Sequence, residues 1–316
     1  MSAPAGQEGV SARPMEPADL DAVDRVHRLA FGTQFGLKDP SQFRGDAQLA
    51  RTRYAADPST CFVAEKAGRI IGSVFGMDWG GVFIVGPLSV DPAHWRGGVG
   101  RVLMDRLIAL IDERRPALAG LFTFPNSPTH IRLYESYGFV PNTLTPVMAK
   151  PVQAAEAAGP VLYSVLSPAN RDSALAACRA ISGSVFPGLD LSREIEAIAA
   201  QGLGETLLLG KDGDAGFALC HVGPGSEAGS GNLFVKFAAC RRSDLSSFER
   251  LLGACEALAR AKGVRRIVAG CNTARAEAYG LMQSRGFRTD VIGVAMHRPG
   301  GVGYNRPGLF VIDDWR

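Results

Sequence analysis

The second half of this 316-residue chain echoes the first at a fixed offset. A displacement of 148 places lays Gly138-Phe139 of YESYGF on Gly286-Phe287 of LMQSRGF. The same displacement sets Leu103, Ala109 and Leu110 on Leu251, Ala257 and Leu258, with no gap between the two anchors. The beginnings match as well: a strand-like Val161–Leu166 and then Ser167-Pro168-Ala169-Asn170, opening a helix, echo Pro17-Ala18-Asp19. A repeat of this period implies two copies of one domain-sized unit, and the length exceeds what a single core usually spans. The alanine-rich, proline-bounded stretch PVQAAEAAGP (151–160) reads as the linker between a unit at 1–150 and one at 161–316.

Within the first unit the most informative stretch is LSVDPAHWRGGVGRVLMDRLIALIDER, residues 88–114. Val99, Val102, Leu103, Leu107, Leu110 and Ile111 recur at helical spacing, so one face of the helix is apolar. Before it, Arg96-Gly97-Gly98-Val99-Gly100-Arg101 packs three glycines and two arginines into six residues. Glycines let the backbone approach a ligand, and a helix N-terminus offers unpaired N–H donors and partial positive charge. Such a turn suits a phosphate or pyrophosphate. No Gly-Lys-Ser/Thr follows, which excludes a P-loop, and Leu103 stands where a dinucleotide fingerprint needs its last glycine.

Val90-Asp91-Pro92 followed by Trp95-Arg96-Gly97-Gly98-Val99-Gly100 resembles the acyl-CoA motif of the GNAT superfamily of N-acetyltransferases, Gln/Arg-x-x-Gly-x-Gly/Ala at a helix start. Trp95 departs from the motif at the Gln/Arg position, and an arginine comes one place later. Leu133-Tyr134-Glu135-Ser136-Tyr137-Gly138-Phe139, 34 residues from Gly100 to Tyr134, is similar to the closing helix of that family, with Gly138 as its C-cap. The resemblance covers residues 10–150. It implies an α/β fold (an α+β mixed sheet) in two tandem GNAT-like domains, each a twisted mixed β-sheet flanked by helices. It also implies acetyl-CoA as co-substrate and a small-molecule or peptide amine as acceptor. Carried over residue by residue, the pantetheine arm falls to Leu88, Ser89 and Val90. The pyrophosphate falls to Arg96, Gly97, Gly98, Val99, Gly100 and Arg101, with Asn126 as a further CoA contact. Tyr134 becomes the catalytic acid, since a phenol of pKa ~10 can protonate a departing thiolate. A buried core aromatic is the other reading of that tyrosine.

Other features are less decisive. The spacing predicts a helix from Pro17 to about Ala30 and a second over about Gln42 to Ala55, joined by a connector or lid, FGTQFGLKDP. Phe31, Phe35, Phe75, Trp79 and Phe83 are candidates for an apolar acceptor wall, and serve equally as core. Strand Val82–Val90 holds no acid, so the general base stays open among Asp78, Asp91 and a water chain; His130, one turn before Tyr134, is a site or plain helix residue. A net charge of +3 without a basic stripe gives no reason to expect nucleic acid. No apolar run has membrane length, and the start, MSAPAGQEGV, lacks signal-peptide character, so a cytoplasmic location is expected. Six scattered cysteines read as reduced thiols, and no histidine or cysteine spacing suggests a metal.

The second unit has lost the chemistry. The displacement puts Asp244 at Arg96, Ser246 at Gly98, Phe248 at Gly100, Glu249 at Arg101 and Met282 at Tyr134. Two acids and a bulky ring there would repel and obstruct a pyrophosphate. The second unit is expected to shape or cover the acceptor cleft. The Gly/Ser-rich loop Gly223–Gly231, most simply a hairpin connector, and the tail after His297 are the segments available for such a role; the tail either crosses to the first unit or only covers an edge strand. The alternative to an N-terminally active transferase is a non-catalytic acyl-CoA-binding module.

Overall fold

The computed structural model describes residues 9–153, 160–210, 213–241, 244–299 and 303–316. The middle of the expected linker (154–159) and the first eight residues lie outside the described residues. In the first half, β1 (Val10–Pro14), α1 (Leu20–Gln34) and α2 (Leu49–Ala56) precede β2 (Cys61–Lys66), β3 (Arg69–Trp79) and β4 (Val82–Val90). Then come α3 (Val99–Arg114), β5 (Leu118–Thr123), α4 (Pro128–Glu135) and β6 (Val140–Pro151). The second half repeats the plan with β7 (Val161–Leu162), α5 (Pro168–Val185), α6 (Ser192–Gln201), β8 (Gly204–Leu209), β9 (Gly216–Gly223) and β10 (Gly229–Cys240). It closes with α7 (Leu245–Ala261), β11 (Arg266–Gly270), α8 (Ala276–Ser284), β12 (Arg288–Arg298) and a short tail strand β13 (Val311–Ile312). Among the described residues no helix is long and apolar enough to cross a membrane.

The two halves share one mixed sheet, in the order β1-β2-β3-β4-β5-β12-β6-β11-β10-β9-β8-β7. Its centre is an exchange. β12, the closing strand of the second half, pairs antiparallel with β5 of the first, Val294–Arg298 against Ala119–Thr123. β6, the closing strand of the first half, pairs with β11 of the second. The two exchanged strands then pair with each other. Gly293 makes room for this: a Cβ there would meet the Phe122 ring at 1.9 Å, so the strand can lie against β5 only with hydrogen at that position.

Each half buries its own helix on one face of the sheet. Val99, Leu103, Leu107 and Ile111 of α3 pack on Phe62, Ile71, Val74 and Val85, and Phe248, Leu251 and Leu258 of α7 pack in the same way in the second half. On the other face a shared core joins Trp79, Val82 and Ile84 to Ile181 and Val185 of α5, Ile195 of α6, and Tyr304 and Trp315 of the tail. The second helix is shorter than its sequence suggests. Arg44 and Gly45 both have left-handed backbones (φ 59° and 56°), which end any helix before Leu49.

Two parallel pairs, β4 with β5 and β10 with β11, occupy matching places in the halves. β4 and β5 pair only through Val82–Val85 and Leu118–Leu121 and then diverge, leaving a V beyond Val85. A bulge between Gly86 and Pro87 shifts the β3 register there. In the second half the corresponding V, beyond Val235 and Ala269, is filled by the chain itself. β13 adds as a strand on Ala238 and Ala239 of β10, the Cys240 N–H donates to the Phe310 carbonyl, and Phe310 packs on Phe248 at 5.5 Å. From there the tail crosses into the first half. Asp314 lies over Gly270 of β11 and Trp315 over Gly120 of β5.

Candidate active site

The glycine turn opens α3. Gly98 is its N-cap at φ 78°, a left-handed conformation that favours glycine, and Arg96 precedes it at φ 65°. The N–H groups of Gly98, Val99 and Gly100 find no main-chain acceptor among the described residues. They face a groove of about 710 Å³ lined by Leu88, Val90, Arg96, Gly98, Val99, Gly100 and Arg101 on one side and Ser127, His130 and Leu133 on the other. Gly97 lies outside that lining; its N–H donates to the His94 carbonyl. Ser89 is also elsewhere. Its side chain is buried, with Oγ 3.1 Å from His27 Nδ1. Asn126 is exposed and lines no cavity described here. Trp95, the residue that departs from the motif, donates its indole N–H to the Val90 carbonyl at 2.7 Å. That oxygen is thereby engaged, whereas Leu88 lines the groove and the adjoining cavity.

A second cavity, of about 500 Å³, adjoins the groove. Phe31, Leu88, Phe124 and His130 line both, so they mark the junction. Tyr134 lines the inner cavity from α4. Its ring packs edge-on against Phe139, and its hydroxyl has no hydrogen-bond partner among the described residues. Burial pushes its pKa up to about 12, so the phenol stays protonated across the physiological range. Burial lowers the His130 pKa below its ordinary value and keeps that imidazole neutral at neutral pH. Asp78 is bound to Arg114 at 2.6 Å and Asp91 accepts from the Ala93 N–H; neither lines the groove or the cavity.

The inner cavity draws its wall from both halves. Phe31, Phe35 and Phe43 form a stack, with Phe31–Phe43 and Phe35–Phe43 centroids both 5.6 Å apart. Phe75, Trp79 and Phe83 sit in the cores instead. From the second half come Glu227, Phe234, Val291, Trp315 and Arg316. The loop carrying Glu227 docks on the first half: the Gln48 N–H donates to the Ser226 carbonyl and the Ser230 N–H to Asp46. Glu227 is fully engaged there. Arg53 donates to both its oxygens, at 3.2 and 3.0 Å, and Lys236 adds a third bond at 3.0 Å while also reaching Glu194. Burial alone would raise the Glu227 pKa, but Arg53 and Lys236 hold it well below the carboxylate range. A carboxylate held so is a structural anion, poorly suited to accept a proton. Arg53 also donates to the carbonyls of Gly86, at the mouth of the V, and of Arg316. From sequence the loop reads as a hairpin connector, and the tail either crosses or covers an edge strand; only the fold brings Glu227, Arg44 and Arg316 to one cavity.

Parallel strands splayed beyond a short paired segment, with a glycine-turn helix start below the gap and a tyrosine across it, form one open cleft in the first half. Residues 57–141 match the model of the acetyltransferase (GNAT) domain. A mycothiol acetyltransferase of Thermomonospora curvata is 37% identical over 141 residues, which cover 42% of this chain and 44% of that protein. The match thus spans less than half of the relative. Two solved structures agree with this chain in fold over nearly its whole length. One is a putative acetyltransferase from Pyrococcus horikoshii, with TM-score 0.69 and 18% identity, covering 98% of this chain and 95% of that one. The other is a tandem GNAT protein from the clavulanic acid biosynthesis pathway, with TM-score 0.53 and 14% identity, covering 91% and 98%.

Proposed function

We propose that this protein transfers an acetyl group from acetyl-CoA to an amine, and that the first half carries the reaction. The observation behind this reading is the meeting of groove and cavity at Phe31, Leu88, Phe124 and His130, with Tyr134 beside the junction. The pyrophosphate of CoA lies on the N–H groups of Gly98, Val99 and Gly100, with Arg96 and Arg101 adding charge. The pantetheine arm runs up the V and pairs with the main chain at Leu88 as an added strand would. The thioester then stands at the junction, and the acceptor enters from the inner cavity. The name of the partly matching relative supports acetyl as the group moved.

The amine nitrogen attacks the thioester carbonyl; a C–N bond forms and the C–S bond breaks. His130, neutral, takes the proton lost by the amine, and the Tyr134 O–H protonates the departing sulfur. Proton exchange with water then restores both groups. Holding both reactants at one junction supplies much of the acceleration.

The test is thiol release from acetyl-CoA across a panel of amines. Tyr134→Phe is expected to lower kcat about 10- to 1,000-fold with little change in acetyl-CoA affinity, and His130→Gln to lower it about 100-fold. Amine-independent release, or wild-type rates in both variants, rejects the reading in favour of a CoA-binding module.

A further inference from the structure

The inner cavity has two arginines and one acid, Glu227, in its lining. Arg44 and Arg316 reach it from opposite halves of the chain. Arg44 makes one hydrogen bond among the described residues, to the Glu227 main-chain oxygen at 3.2 Å. Arg316 stacks its guanidinium on the Phe234 ring at 4.4 Å, with Nε 3.1 Å from Asp314. Its Nη2 is buried with no partner. Glu227 is already taken by Arg53 and Lys236. Burial pushes the Asp314 carboxyl pKa upward, and Arg316 opposes that shift. Burial first, and then the neighbouring Arg316, pull the Arg44 pKa down to about 10, the mark of two like charges sharing one poorly solvated space.

The backbone supports the same conclusion. Arg44 and Trp315, the residue before Arg316, both adopt left-handed conformations (φ 59° and 58°) that non-glycine residues rarely accept. The chain turns at both points, and the side chains of Arg44 and Arg316 line one cavity. The rest of the wall is aromatic. A ligand that completes this cavity therefore has an apolar body and an anionic end.

We propose that Arg44 and Arg316 form a carboxylate subsite, so that the acceptor is an amino-carboxylate with an apolar side chain: a free amino acid or a short peptide ending in a carboxylate. Guanidinium groups match the planar, two-oxygen geometry of a carboxylate. The carboxylate sits between the two arginines, the side chain lies on the Phe31–Phe43–Phe35 stack, and the amine is left facing His130. The inference rests on the transferase reading for the fate of the amine, but not for the binding of the acid.

Binding can therefore be measured apart from turnover. N-acetyl-phenylalanine and N-acetyl-leucine, the products expected of such acceptors, are titrated calorimetrically beside their carboxamides. The acids are expected to bind at least about 10-fold more tightly, and Arg44→Gln and Arg316→Gln to remove that difference while leaving amide binding and CoA affinity unchanged. In turnover, phenylalanine is compared with phenethylamine, leucine with 3-methylbutylamine, and phosphoethanolamine reports a preference for phosphate. Equal binding of acid and amide, or a preference that survives both variants, overturns the subsite. So does turnover that favours the phosphate-bearing or uncharged amines. Selective binding of the acids without any acetylation would sustain the subsite and reject the transferase reading.

Discussion

The two halves contain the same V between parallel strands and treat it in opposite ways. In the first, β4 and β5 part after Val85 and Leu121, and the gap opens onto a groove floored by the glycine turn. In the second, β10 and β11 part after Val235 and Ala269, and β13 is laid into the gap on Ala238 and Ala239. The 148-residue displacement sets Leu88–Val90 on Lys236–Ala238, so the tail takes up the edge that corresponds to the expected pantetheine position. The difference explains the lost motif in the second half. Once the backbone groups of the V were satisfied from within, Phe248 could stand where Gly100 stands in the first half and pack on Phe310 instead of leaving space for phosphates. The filled V is part of a structural core, and the other stays open to the groove.

The largest effect expected on this comparison comes from a charge at the open turn. Gly98→Glu combines a left-handed position with an anion beside the pyrophosphate, and acetyl-CoA affinity should fall about 100-fold or more. Ser246→Glu, the corresponding position in the second half, is exposed and should leave affinity unchanged. Calorimetry on the pair would break the comparison if both changes acted alike. Next is Phe310→Ala, which empties part of the filled V. It should lower stability by about 3–5 kcal/mol in denaturant titrations, with acetyl-CoA stoichiometry still one per chain. A second bound CoA in that variant would mean that the tail alone, and not the altered turn, closes the second site.

Gly120→Ala probes the passage of the tail into the first half. A Cβ there would lie 2.3 Å from Trp315 Cζ3, so the indole must move; we expect a loss of about 1–3 kcal/mol and a raised acceptor KM at unchanged acetyl-CoA affinity. The smallest effect concerns pH. Burial lowers the pKa of His27 to about 3 in the first half and those of His221 and His297 to about 4 in the second. Between these values and the unfolded value near 6.5, the unfolded chain binds more protons than the folded one, so stability rises with pH in that window and is lost on acidification. A melting temperature lower by about several degrees at pH 5 than at pH 7 is expected. His221→Gln and His297→Gln together should weaken that dependence without abolishing it, because His27 remains.

Much of the first half was legible because its signals are local. The apolar spacing of α3, the glycines before it and the C-cap at Gly138 are written within single turns of chain, and β4 falls at Val82–Val90 as its residues suggest. What local patterning cannot carry is which strands become neighbours. Nothing in the sequence of β6 distinguishes pairing with β5 from pairing with β11, since both present an apolar, antiparallel-compatible edge. The inner cavity was hidden for the same reason. Arg44 reads as a residue of the second helix, Glu227 as a lone acid in GPGSEAGSG, and Arg316 as a tail residue, until the exchanged strands bring the halves together. The aromatic wall was half legible: Phe31 and Phe35 share the helical face that Phe43 later meets, whereas Phe75, Trp79 and Phe83 belong to strands buried on both sides.

The exchanged closing strands have a consequence for ancestry and for fragments. Because β6 and β12 lie side by side and antiparallel, the centre of the sheet has the pairing of two identical subunits about a two-fold axis. A fragment ending at residue 153 would have its β5 edge bare and its β6 reaching outward, and two such fragments can satisfy each other by donating β6 across that axis. Expressed alone, the first half should therefore sediment as a homodimer. The present chain then reads as such a dimer made covalent, in which fusion let the two halves treat the same V differently.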